Sequence, residues 1–177
     1  MDLLLSKDSV RNCTITLLTG QPVYQVSTPS RFFHTETTTI KRFKGNQVHD
    51  MAVIERHDFH DDVCQVWGRD IVPKSDGCFS SGRSFTASDS QKYTWKMKCD
   101  RAVLRDQFDN TIAAFEKSHT GFFSGNPSQA KISISQAGLS IADELIATFV
   151  LVEQKDRESR KANGADAAGA AASAAAG

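Results

Sequence analysis

Six consecutive residues, His57-Asp58-Phe59-His60-Asp61-Asp62, form the densest set of side chains able to bind a metal or move a proton. On an extended strand alternate residues share a face, so only His57, Phe59 and Asp61, or Asp58, His60 and Asp62, converge. The second set is a conceivable carboxylate–imidazole–carboxylate site for a metal ion. The same residues also suit an acidic strand end turning into water, which is their commoner use, and no bound transition metal is expected. Nucleophilic chemistry has less support. The serines include no G-x-S-x-G elbow. Cys64 lies near His57 and His60 only along the chain, which does not make a thiolate–imidazolium pair. Gly121 to Gly125 lacks the spacing and the lysine of a phosphate loop. No catalytic residue is assigned and no cofactor is expected; a hydrolase or metal-dependent enzyme remains a minor alternative.

The remaining chemistry is electrostatic. Lys41, Arg42 and Lys44 close one β-rich segment, and Lys92, Lys96 and Lys98 run along another, with Arg69, Arg83, Arg101 and Arg105 adding positive charge. If folding made two such groups neighbours, Lys41, Arg42, Lys44, Arg83 and Lys96 would offer an anion a phosphate-sized pocket. Lysine plus arginine total 21 against 21 aspartate plus glutamate, so this pocket would stand on a neutral chain. No global field recommends nucleic acid as a partner.

The elements that must position these groups have period two. "CTITLLT" (13–19) and "PVYQVST" (22–28) flank Gly20-Gln21 as a hairpin. "TTTIKRF" (37–43), "MAVIERHDF" (51–59) and "VCQVWGRDIV" (63–72) continue the pattern. Strands near 84–87 and 91–98 enclose "ASDS", and "AVLRD" (102–106), "TIAAFEK" (111–117) and "KISISQ" (131–136) complete about ten. Such spacing predicts an antiparallel sandwich or barrel.

One segment breaks the rhythm. "SIADELIATFVLVEQKDRESRK" (140–161) opens with Ser140 and Asp143 in capping-box spacing, has Asp143 and Glu144 in its first turn, and ends in cations. Leu145 to Val152 is apolar on every side apart from Thr148, so a helix here must be buried, and it is too short to span a bilayer. The β-favouring Thr148, Phe149, Val150 and Val152 leave a central strand as the rival reading. The chain is expected to form one domain over 1–158, with a helix near 140–158. The Ala/Gly-rich tail at 159–177 is expected to be disordered or foreign to the native protein.

The four cysteines, Cys13, Cys64, Cys78 and Cys99, are scattered without a C-x-x-C, so free thiols are expected. The beginning, "MDLLLSKDSVRN", has neither the charge nor the apolar length of a secretory signal, and a cytoplasmic location is expected.

Several stretches also carry a family resemblance. "GRSFTASDSQKYTWK" (82–96), "QPVYQVSTP", "TTTIKRF" and "DELIATFVLVEQK" together resemble a basidiomycete fungal family of unknown function. That family is related to the tubby C-terminal, LURP-one and phospholipid-scramblase group. The likeness covers residues 2 to about 158. Gly82, Arg83, Phe85, Asp89, Tyr93, Trp95 and Lys96 fit its pattern, while Ser90 replaces a turn glycine, which favours a looser loop than a tight type I′ turn. The resemblance implies an antiparallel barrel of roughly twelve strands around a central hydrophobic helix. It also implies a non-enzymatic module, peripheral at membranes, that binds a phosphoinositide headgroup, an anionic phospholipid surface or an acidic protein. A protein-interaction or structural module with no small ligand is the alternative.

Overall fold

Side chains alternate between buried and exposed along most of the chain up to Ile134, as a sheet with one covered face requires. The computed structural model describes residues 1–29, 35–57, 60–77, 82–98, 101–118 and 128–175, with side chains in the last stretch described to residue 163. These form thirteen antiparallel strands in one sheet, then a 3₁₀ helix and one α-helix. The strands are β1 (Asp2–Leu5), β2 (Asn12–Leu17), β3 (Pro22–Ser27), β4 (Thr35–Lys44), β5 (Gln47–His57), β6 (Val63–Val66) and β7 (Arg69–Asp70). They continue as β8 (Lys74–Ser75), β9 (Gly82–Thr86), β10 (Lys92–Lys98), β11 (Arg101–Arg105), β12 (Thr111–Glu116) and β13 (Lys131–Ile134). The 3₁₀ helix is Gln136–Ile141, and α1 is Ala142–Ala175.

With one exception each strand pairs with its successor, and β1 also pairs with β13, joining the two ends of the series. The exception is the seam between β7 and β8, which do not pair with each other. Residues 69–75 run past both margins. Arg69 and Asp70 pair with Val66 and Gln65 of β6, while Lys74 and Ser75 pair with Ser84 and Arg83 of β9. Three residues of linker keep the margins within about 14 Å of each other.

The helix fills the covered side of this sheet. Leu145 to Val152 are all buried, the outcome that apolar residues on every side demand. Trp95 of β10 and Phe115 of β12 lie with ring centroids 5.5 and 4.7 Å from Phe149. From the other half of the sheet, Tyr24 of β3 donates its hydroxyl to Asp143, and Gln154 donates to Thr38 of β4. Helix is therefore the state of 145–152, and the rival strand is excluded. Trp95 and Tyr93 point inward while Lys92 and Lys96 are exposed, so the pattern of the 82–96 stretch is that of a one-sided strand pair.

Two local differences from the sequence reading have physical causes. The α-helix starts at Ala142 after a 3₁₀ turn, and Asp143 bonds side chains of the sheet, so no capping box forms with Ser140. Gly138 sets that entry: a Cβ there would stand 2.9 Å from methyls of both Ile112 and Ile134. At the other end the helix runs to Ala175, through the stretch that lacks residues able to pack. Alanine's high intrinsic helix propensity extends it.

Because neighbouring strands alternate in direction, the turns of β2–β3, β4–β5, β6–β7, β9–β10 and β11–β12 fall at one end of the sheet. Alpha-1 begins at the same end, where Trp67 and Ser88 reach its first turn. Three of these hairpins share one geometry. The amides of Leu17, Ala87 and Asp106 each donate across the loop, to Gln21, Gln91 and Asn110. The third loop residue is left-handed in each: Gly20 at φ 84°, Ser90 at 65° and Asp109 at 64°. This is the three-residue loop with a type I turn and a bulge, looser than a type I′ turn.

Candidate functional site at the start of the helix

Strand β4 buries Glu36, Thr38 and Ile40 on one face, and the same alternation brings Arg42 to the mouth of the sheet, where β5 bulges at Met51 opposite Ile40/Lys41. There the Arg42 guanidinium stacks 4.4 Å above the Tyr24 ring, and its Nε lies 3.6 Å from Asp143 Oδ1. Arg42 Nε and Nη1 are buried with no hydrogen-bond partner. Lys44, the last residue of the strand, places its ammonium 5.3 Å from the Trp67 ring centroid.

Trp67 sits at the β6–β7 turn with φ 50°, a strained value for a bulky residue. Its indole Nε1 donates to Asp143 Oδ2 at 2.9 Å, while Tyr24 donates to Oδ1 at 2.8 Å. Burial, with the Asp143 charge beside it, holds the Tyr24 phenol far above its ordinary range, so it remains a neutral donor. Glu144 accepts from both the amide and the hydroxyl of Ser88 and pairs with Arg69. The two acids suit the positive end of the helix dipole.

Arg42, Lys44, Trp67, Arg69, Asp143 and Glu144 line an open cleft of about 510 Å³ with Val66, Ser88 and residues 139–142. Arg42, Lys44 and Arg69 face two carboxylates, which leaves one formal positive charge (three minus two). The lining holds guanidinium and ammonium donors, an aromatic wall and no cysteine or histidine. That set suits recognition of an oxyanion by charge-assisted hydrogen bonds rather than nucleophilic or metal chemistry.

The other expected cations go elsewhere. Lys41 is exposed on the strand and lies 3.8 Å from Asp50. Lys96 points outward from β10 and meets Asp109 at 3.1 Å. Arg83 belongs to a second cavity, of about 470 Å³, beside Arg56, His57, His60, Asp62, Lys155 and Glu158. Only Arg42 and Lys44 of the five thus share a cleft. Trp67 and Ser88 enter it without a sequence signal other than a turn on either side, and Arg69 is there as more than a contributor to the charge count.

In the second cavity the ligand set considered for a metal is engaged otherwise. Asp62 Oδ1 accepts from the His57 amide at 3.3 Å, and its Oδ2 pairs with Lys155. Asp58 lies outside the described residues. Among the described residues no group of three histidine, cysteine, aspartate or glutamate side chains is placed to hold a metal. Cys13 and Cys64 are free and buried; Cys78 and Cys99 lie outside the described residues.

A family model matches residues 8–158, from the β1–β2 connection to within α1. The chain belongs to the family of unknown function DUF6593. No curated protein and no solved structure matches it. The DUF6593 match takes in every residue of the helix-start cleft, from Arg42 to Glu144. Among the described residues no helix is long and apolar enough to cross a membrane.

Proposed function

We propose that this DUF6593 chain is a non-enzymatic binding module whose cleft at the start of α1 takes an anionic headgroup, a phosphoinositide's being the best fit. The observation that carries this reading is Arg42. Two of its donors are buried without a hydrogen bond beside Lys44 and Arg69, Nε standing 3.6 Å from Asp143. Buried donors left unsatisfied are costly, about 1–3 kcal/mol each, and a phosphate oxygen reached by a small turn of the side chain would satisfy them. Tyr24 and Trp67 support the cations from below and beside, which fixes a fork that phosphate can meet with two oxygens. The sheet acts as a barrel whose seam is the shared segment 69–75, with the cleft at its mouth. The likeness to the tubby and scramblase group agrees with this use, and a cytoplasmic place against membranes follows from it.

Isothermal titration with soluble inositol trisphosphate tests the reading. Wild-type protein should bind at low salt and weaken steeply as salt rises, since screening shortens to about 3 Å near 1 M. Arg42→Gln should lose binding and Lys96→Gln should keep it. Absence of binding by wild-type protein at low salt would leave the module without a small anionic ligand, and a protein-interaction role would replace it.

A further inference from the structure

The exposed large hydrophobic side chains of the described residues gather toward one end of the sheet. Among the described residues they are Met1, Leu18, Val48, Val53, Trp67, Phe108 and Leu139, and all but Val53 lie at the end where α1 begins. Leu18 is on the β2–β3 turn, Val48 follows the β4–β5 turn, Trp67 makes the β6–β7 turn, and Leu139 sits on the 3₁₀ helix over the mouth. Neighbouring hairpins in a sheet stand about 10 Å apart, so these are separate protrusions rather than one groove.

The charges divide this end into two sectors. The turns bearing Leu18 and Val48 hold no acid over residues 18–21 and 45–48, and Lys44 precedes the second, while the Trp67 turn carries Arg69, paired with Glu144, and Asp70. The β9–β10 and β11–β12 turns, which include Phe108, carry Asp89, Asp106 and Asp109. Hydrogen bonds from Asn110 hold the Asp106 carboxyl below the ordinary carboxylate range, while Asp109 is paired with Lys96 and Arg105.

We infer that the Leu18–Val48–Trp67–Leu139 sector is a docking face for an anionic bilayer, with these tips in the interface and the acidic hairpins tilted away from it. The inference rests on the headgroup reading of the cleft and adds the orientation and the residues that enter the lipid. A bilayer moulds around separate apolar tips, whereas a folded partner requires a matching continuous surface. Tryptophan beside cations is suited to the headgroup level, and Lys44 and Arg69 complement the lipid charge within the same sector.

The experiment is co-sedimentation with phosphatidylcholine vesicles carrying phosphatidylinositol bisphosphate, run beside titration with soluble inositol trisphosphate. Leu18 is 66% exposed and Phe108 is 75% exposed, so exposure alone ranks Phe108 first. The docking face ranks it last. Leu18→Asp should lower vesicle binding about tenfold or more, the loss expected from withdrawing one buried leucine, while leaving the soluble titration unchanged. Phe108→Asp should change neither. If Phe108→Asp weakens vesicle binding as much as Leu18→Asp does, or neither weakens it, the face is wrong while the cleft stands. The face is equally wrong if wild-type protein binds the soluble headgroup, ignores vesicles and self-associates through Leu18. If neither probe is bound, the cleft reading falls, and the docking face falls with it.

Discussion

Trp95 Nε1 donates a hydrogen bond to Thr148 Oγ1 at 3.0 Å, and both side chains are wholly buried. The same hydroxyl gives its proton to the Glu144 carbonyl at 2.8 Å, so it is at once acceptor for the sheet and donor within the helix. One threonine thereby makes the otherwise apolar middle of α1 compatible with a buried indole.

Thr148→Val keeps the shape and removes the acceptor. It should cost about 1–3 kcal/mol, because the indole N–H is left buried and unsatisfied. Urea unfolding of Thr148→Val, Trp95→Phe and the double variant measures the coupling. The double variant should lose less than the sum of the singles; strict additivity would mean that the bond contributes nothing.

Phe149 touches Trp95 and Phe115 from the centre of the helix. Phe149→Ala should cost about 3–5 kcal/mol through the cavity it leaves, enough to unfold a domain of ordinary stability. A melting temperature within a few degrees of wild type would contradict a packed helix core.

Much of this was legible in the sequence, because its signals are local. β-branched alternation marks β2 to β6 and β10 to β13, and an all-round apolar run between acidic and basic ends marks the helix. β1 was not legible, since three leucines signal a strand only once β2 and β13 flank them. β8, at two residues, exists only by pairing with β9. The site was legible in part. Arg42 and Lys44 share a cleft because they are alternate residues of β4, and Arg42 meets Asp143 from about 100 residues away along the chain. The alternation is a local pattern, but that closure is not. The same limit explains why Arg83 and Lys96, as cationic in the sequence as Arg42, fall on other surfaces.

Ser90 occupies the left-handed position that Gly20 fills in the equivalent hairpin. Left-handed backbone strains a side chain-bearing residue by about 1 kcal/mol, whereas glycine adopts it freely. Ser90→Gly should therefore stabilise the fold by up to about 1 kcal/mol, and Ser90→Val should destabilise it. Thermal denaturation checks both; a loss of stability in Ser90→Gly would show that the loop is held by contacts of the serine itself.

Burial pushes the Cys13 thiol up to about 11 and the Cys64 thiol up to about 12, the latter helped by Asp70 and Asp62. Only the thiolate is alkylated. Iodoacetamide at neutral pH should spare both in the folded protein and label both in urea, as read by peptide mass mapping. Rapid labelling of Cys64 in native protein would contradict its burial.

The central claim is that the cleft between Arg42, Lys44 and Asp143 receives a phosphorylated headgroup. The most direct test is an amide and indole NMR titration with inositol trisphosphate. Trp67 Nε1–H, bonded to Asp143, should shift together with the amides of Arg42, Lys44 and residues 139–144, while the Trp95 indole stays still. Shifts confined to the Arg83–Lys155 cavity farther along the helix, or no shifts at low salt, would contradict the account.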